Sequence, residues 1–287
     1  MGSAKTQPSP LRPAPQCARS VKGWVNYIGG MAQRPRYYAN DHSRDILELD
    51  PREIAVEDAR VRIEAPSLAR EGFELVGHTS DIEDFKDAAK VAELHPSEIE
   101  QLLMNVTGAD RVVVASPGVL RFGEGSKDAG KYSNSLPARF VHVDISDATA
   151  EQFAHRSMPN IAGRALRRFA HYNVWRALSP PPQDIPLTVC DARSVAPADL
   201  LCADAVFDVE GKPEWSFEGW VVRHNSEHRW CYFSGMTRDE ALIFKTNDSD
   251  PAQPHCVPHS AFDDPSCPKG VPTRASIEMR GIAYWFD

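Results

Sequence analysis

From Arg111 onward the sequence falls into short runs rich in Val, Ile, Phe, Tyr and Trp, each closed by turn residues. RVVVAS, ARFVHVDIS, PLTVCDARSV, EGWVVRH, HRWCYFSGM, ALIFKTND and ASIEMRGIAYWF all have strand character. Proline is abundant in the connections, as at SPPPQDIP and DPSCPKGVP. Many short strands, with helices before and among them, predict a mainly β protein with flanking helices: a double-stranded β-helix (jelly roll, cupin-like).

Helical spacing predicts the flanking elements. Asp81 to Thr107 reads as two helical pieces, the first with Ile82, Phe85, Ala88, Ala89 and Ala92 on one side. Pro96 opens the second, where Ile99, Leu102, Leu103 and Val106 form the apolar stripe and Gly108 caps the end. A second insertion is expected from about Ala148 to Arg168. Before these, Val21 to Ala65 is weakly patterned, and its YIGGMAQRPRYYAND piece is turn-rich and unlike a core element. Leu68 to Val76 is expected to end in a short strand with Gly72 as its turn residue. Residues 1–20 are rich in Pro, Ser and Ala, lack the apolar stretch of a secretory signal and read as a disordered tail. The rest, 21–287, reads as a single domain with its jelly-roll core at about 111–287 and helical support at about 81–107 and 148–168.

Composition narrows the function. Acidic residues outnumber basic ones, 40 to 32, and the net charge of −8 argues against a dedicated nucleic-acid binder. One of the most apolar runs, Val112 to Leu120, is bounded by Arg111 and Arg121 and is far shorter than the ~20 residues a membrane crossing needs. Six scattered cysteines contain no CxxC, so neither a structural zinc nor a thioredoxin-like site is expected, and a reduced, cytoplasmic setting is the simplest reading.

The informative stretch is RFVHVDIS. On a strand, Phe140, His142, Asp144 and Ser146 share one face, while Val141, Val143 and Ile145 share the other. An imidazole and a carboxylate at adjacent same-face positions form two arms of a facial metal site, and a third arm would complete the 2-His-1-carboxylate set that leaves positions of iron(II) open. Alone, the pair reads first as a satisfied core histidine with a nearby carboxylate. His259, 115 residues after Asp144, follows enough strands to return to the same mouth; His224, His228 and His255 are the other histidines that could supply the arm. His228 lies in a polar turn, where a solvated role is expected, and His155 and His171 belong to the helical insertion. On the last strand Arg274, Ser276, Glu278 and Arg280 share one face, and a guanidinium there suits a planar carboxylate.

HxD, a distant His and RxS together resemble the iron(II)/2-oxoglutarate-dependent oxygenases. With YNVWRAL, PLTVCDARSV, WCYFSGMTRDEALIFKTNDSD, PHSAFDDP and RASIEMR, the sequence from about Val21 to its end is similar to the fungal and bacterial hydroxylase/desaturase family, which includes gibberellin desaturase and the small cephem-methoxylase component. The resemblance implies an enzyme of secondary metabolism that uses iron(II), 2-oxoglutarate and O2 to hydroxylate, desaturate or cyclise a small molecule through a ferryl intermediate. It implies that His142, Asp144 and His259 bind iron and that Arg274 with Ser276 holds the distal carboxylate of 2-oxoglutarate, Arg280 being a rival on the same face. Asn173 and Arg176 of YNVWR are implied to matter and, with Trp230 and Tyr232, are candidates to line the substrate pocket. A regular strand cannot aim both inward, so a bulge or helix-to-strand transition is expected there. Trp230, Tyr232 and Lys245 line the cavity or simply finish the sheet. Three other readings compete: a non-catalytic partner subunit, a zinc hydrolase or lyase on the same ligands, and a cupin-type binding protein; a homo-oligomer is compatible with any of them.

Overall fold

The computed structural model describes residues 20–114 and 116–287, so the expected tail lies outside the described residues except for Ser20. The elements follow in chain order: β1 (Ser20–Ile28), β2 (Arg36–Tyr38), β3 (Leu49–Asp58), β4 (Phe73–Gly77), α1 (Ala88–Thr107), β5 (Arg111–Val113), β6 (Val119–Phe122), β7 (His142–Val143) and α2 (Asp147–Ser157). Then come β8 (Leu166–Ala177), β9 (Leu187–Cys190), β10 (Leu200–Phe207), β11 (Trp215–Val222), β12 (Trp230–Tyr232), β13 (Glu240–Asp248), β14 (His259–Ala261) and β15 (Ala275–Phe286).

These strands form two sheets. The larger runs β1-β3-β12-β9-β14-β7-β11-β10-β2, and the smaller runs β4-β13-β8-β15-β5 with β6 also on β15. Phe73, Trp175, Leu242 and Phe244 of the smaller sheet pack with Leu187, Val189 and Cys231 of the larger, so a core fills the space between the sheets. This is the expected mainly β jelly-roll architecture. It starts earlier than expected, because β1 and β3 of the weakly patterned segment form one edge of the larger sheet. Along β1, Val21, Val25 and Tyr27 are buried, and Gly23 sits where a Cβ would come within 2.6 Å of the Phe262 ring.

The helical region also differs from expectation. Residues 81–87 are not helical; Asp87 caps the helix by accepting from the Lys90 amide at 3.1 Å, and α1 then continues through Pro96 to Gly108, whose φ of 67° ends it. Ile99, Leu102 and Leu103 pack on Tyr172, Val174 and Met279 on the outer face of the smaller sheet, and this burial outweighs the ~3 kcal/mol that an interior proline costs. Ile82 and Phe85 are buried as their spacing suggested, but from an irregular segment packed with Val91 and Ile277. The insertion at 148–168 is helical only to Ser157, and its last residues open β8. Gly72 has the expected turn role, with φ 86° directly before β4. Among the described residues no helix is long and apolar enough to cross a membrane.

His171 of β8 is buried and its Nε2 donates to the Ala150 carbonyl at 2.9 Å. Burial pushes its imidazole down to about 4. Between the ordinary histidine value near 6.5 and pH 4, the unfolded chain therefore binds a proton that the folded one refuses. Stability is full above that window and falls with pH through it, by up to about 3 kcal/mol from this group. Urea unfolding of the metal-free protein at pH 7 and pH 4.5 should show a smaller loss for His171→Gln than for the wild type; equal losses would contradict the assignment.

Candidate active site

Three side chains that are remote in sequence meet between the sheets. β14 pairs with β7 so that His259 stands directly across from His142, their rings 4.3 Å apart. Asp144 follows β7 and turns its carboxylate to both: Oδ1 lies 3.5 Å from His142 Nε2 and 3.7 Å from His259 Nε2. All three residues are buried, with one donor atom from each within 4.8 Å of the others. The β7 strand itself is only two residues long, and Ser146, expected on the same row, instead caps α2 by accepting from the Thr149 amide.

The donor chemistry fits a metal. His142 Nδ1 lies 3.0 Å from the Phe140 carbonyl and His259 Nδ1 3.2 Å from that of Val257. A carbonyl only accepts, so the proton resides on Nδ1 and each Nε2 lone pair faces the common point, the arrangement typical of metal-bound histidine. Burial, reinforced by His142, pushes the His259 imidazole down to about 3. Burial opposes ionisation of Asp144, but the Arg280 guanidinium and the two histidines hold its carboxyl well below the usual range. Behind Asp144 the backbone of β11 comes close: a Cβ on Gly219 would lie 2.7 Å from the Asp144 carbonyl oxygen.

The inner face of the smaller sheet supplies the surroundings. Asn173 Nδ2 and Arg280 Nε both donate to Asp144 Oδ2 at 2.7 Å, leaving Oδ1 to the imidazoles, and Arg280 Nη2 donates to Glu278 at 2.5 Å. Arg274 is buried over the Trp175 ring, 5.1 Å from its centroid; its Nε donates to Ser276 Oγ at 3.2 Å and its Nη1 to the Ile185 carbonyl at 3.1 Å. Among the described residues no carboxylate pairs with Arg274. Burial, and the nearby Arg121 and Arg139, push it down to about 9. A narrow chamber of about 10 Å³ joins His142 and His259 to Arg274, and a cleft of about 450 Å³ reaches His142 and Asp144 from outside between Tyr37, Phe140, Phe207 and Phe217.

Other expected residues lie elsewhere. β8 is in regular register through YNVWR, so no bulge occurs there. Asn173 and Trp175 face inward, and Arg176 faces away, donating to the His78 and Arg238 carbonyls and pairing with His78 Nδ1. Lys245 also lies on the outer face, bound to Asp248 at 2.6 Å. Trp230 and Tyr232 belong to the core cluster with Tyr27 and Phe262 rather than to the cleft. His228 is not solvated: its side chain is 1% exposed and lies 3.1 Å from Asp199, while His255 pairs with Asp147 and His155 with Glu151, all away from the three-residue cluster. Sequence reading missed Arg121, taken only as the charged boundary of an apolar run. It lines both the cleft and the chamber because β6 pairs Arg121 with Ser276.

Two imidazoles and a carboxylate inside a jelly roll, beside a buried cation and an open cleft, fit the facial ligand set of a non-haem iron(II)/2-oxoglutarate-dependent oxygenase. Comparison with known proteins supports it. Residues 25–284 match a family described as oxidoreductase/YMDC permease-like domain. The chain is 31% identical to the hydroxylase/desaturase efuI of Hormonema carpetanum, covering 84% of this chain and 86% of the relative. It is also 31% identical to the Fe(II)/2-oxoglutarate-dependent dioxygenase nvfI of Aspergillus novofumigatus, over 82% and 84% of the two chains. A solved structure of the iron and alpha-ketoglutarate-dependent endoperoxidase NvfI superposes with TM-score 0.80 at 26% identity, covering 94% of this chain and 99% of that one. The chain belongs to this family of fungal iron(II)/2-oxoglutarate-dependent hydroxylases and desaturases. It is an oxidoreductase whose cofactor and cosubstrates are iron(II), 2-oxoglutarate and O2.

Proposed function

We propose that His142, Asp144 and His259 hold the iron, that Arg274 and Ser276 hold the distal carboxylate of 2-oxoglutarate, and that a small secondary metabolite enters by the 450 Å³ cleft to be hydroxylated, desaturated or cyclised. When bound, the iron with 2-oxoglutarate and O2 supplies an oxidant that takes hydrogen from an unactivated carbon, 2-oxoglutarate leaving as succinate and carbon dioxide. The observation that carries the reading is the orientation of both Nε2 atoms toward Asp144 Oδ1, set by the carbonyl partners of Nδ1.

The protein's own groups bind, orient and exclude water. Arg274 is a buried guanidinium without a carboxylate partner among the described residues, and the Trp175 indole N–H beside it also has no partner, so the chamber is prepared for an anion. Arg280 is the weaker rival because Asp144 and Glu278 already neutralise it. Asn173 and Arg280 fix the rotation of the Asp144 carboxylate, and Phe244, 4.7 Å from the His259 ring, keeps that side of the site dry. A single domain across 21–287, in a reducing cytoplasmic setting, belongs to the same reading; the five cysteines among the described residues are all free.

The isolated chain, reconstituted anaerobically with iron(II) and then given 2-oxoglutarate and O2, should release succinate slowly without any substrate or second protein, and zinc should not replace iron. Succinate formation no greater than in the metal-free blank, or formation only after a second protein is added, would contradict the reading and favour the partner-subunit alternative.

A further inference from the structure

We propose that Arg121 is the anchor for an anionic group, a carboxylate or acidic enol, on the organic substrate itself, so that this enzyme selects monoanionic small molecules. The inference rests on the site assignment above and deepens it. Arg121 is 9% exposed and opens into both the cleft and the chamber. Its Nη1 donates to the Asn134 and Leu136 carbonyls and to Asn134 Oδ1, at 2.8–3.1 Å. All of these acceptors are uncharged. Among the described residues its Nε and Nη2 make no hydrogen bond and no carboxylate forms an ion pair with it. The other charged groups of the cleft wall have partners: Arg139 binds Glu124 and Asp263, His42 meets Asp45, and Arg280 binds Asp144 and Glu278.

Charge bookkeeping at the centre gives the same answer. Arg121, Arg274 and Arg280 bring three positive charges, and Asp144 and Glu278 bring two negative ones. Iron(II) adds two positive charges and 2-oxoglutarate removes two. One buried positive charge remains after both have bound, and a cation out of water strongly favours an anionic partner. Arg274 already fills the role of cation for 2-oxoglutarate deep in the chamber, whereas Arg121 also faces the cleft beside the aromatic side chains of Tyr37, Phe207 and Phe217. An aromatic wall with one cation that no carboxylate of the wall pairs with matches an apolar body carrying a single acidic group.

The test uses benzoate and its uncharged analogue benzamide, small enough to enter whatever the natural scaffold, on the anaerobic enzyme loaded with iron(II) and 2-oxoglutarate. Paramagnetic relaxation of the probe's ring protons by the iron reports binding next to the metal. Benzoate should bind saturably and at least tenfold more tightly than benzamide. Arg121→Gln should abolish that preference and weaken 2-oxoglutarate less than it weakens benzoate, while Arg121→Lys should keep the preference by keeping the charge. Equal binding of the two probes by the wild type, no metal-proximal benzoate, or a larger loss of 2-oxoglutarate than of benzoate affinity in Arg121→Gln would overturn the proposal. Failure to load 2-oxoglutarate on the wild type would instead strike at the site assignment beneath it.

Discussion

Replacing Arg274 with glutamine should raise the KM for 2-oxoglutarate at least 100-fold while kcat at saturation changes far less. Glutamine can still reach Ser276 but carries no charge, and losing one partner of a buried ion pair costs about 3–5 kcal/mol, a factor of ~10² to 10³ or more in affinity. Arg280→Gln provides the contrast. Arg280 bonds to Asp144 Oδ2 at 2.7 Å and to Glu278 at 2.5 Å, so its loss should weaken the hold on metal and leave the KM for 2-oxoglutarate near the wild-type value. Steady-state kinetics over a range of 2-oxoglutarate and iron(II) separates the two. The opposite pattern, with Arg280→Gln raising the KM and Arg274→Gln weakening metal, would exchange the assignments.

Asp144→Ala should be the more damaging change, lowering succinate formation at least 10³-fold. It removes the one anionic group of the proposed metal site and at the same time strips Asn173 Nδ2 and Arg280 Nε of their shared acceptor, leaving the guanidinium with Glu278 alone. Two neutral imidazoles beside an under-neutralised arginine are a poor site for a dication. Asp144→Glu should restore part of the activity, because it returns the charge even though the longer side chain misplaces it. Succinate formation by Asp144→Ala within tenfold of wild type would show that Asp144 is not a ligand.

The site was more legible in the sequence than the fold around it. Alternation over RFVHVDIS put His142 and Asp144 on one face, and the two side chains do converge, although the strand proper is only two residues long and the chain already bends at Asp144 before Ser146 caps α2. The RxSxExR row likewise needed only period two: Ile277 and Met279 pack outward, and Arg274, Ser276 and Glu278 line the interior. What could not be read locally depends on long-range pairing. Arg121 enters the site only because β6 lies against the start of β15. β3, with Pro51 and five charged side chains in ten residues, looks like a loop until β1 pairs along its whole length. Pro96 carries a strong local signal to break a helix, and tertiary packing of His95, Ile99 and Leu103 overrides it. Arg176 was assigned to the cavity by likeness, whereas simple strand parity with Asn173 puts it on the opposite face.

The convergence of three side chains on one ion is tested most directly by anomalous diffraction at the iron edge from crystals grown anaerobically with iron(II) and 2-oxoglutarate. The account predicts one strong peak bonded to His142 Nε2, His259 Nε2 and the Asp144 carboxylate, with the distal carboxylate of 2-oxoglutarate on Arg274. A peak elsewhere, or no ordered iron at this triad in fully loaded protein, would contradict it.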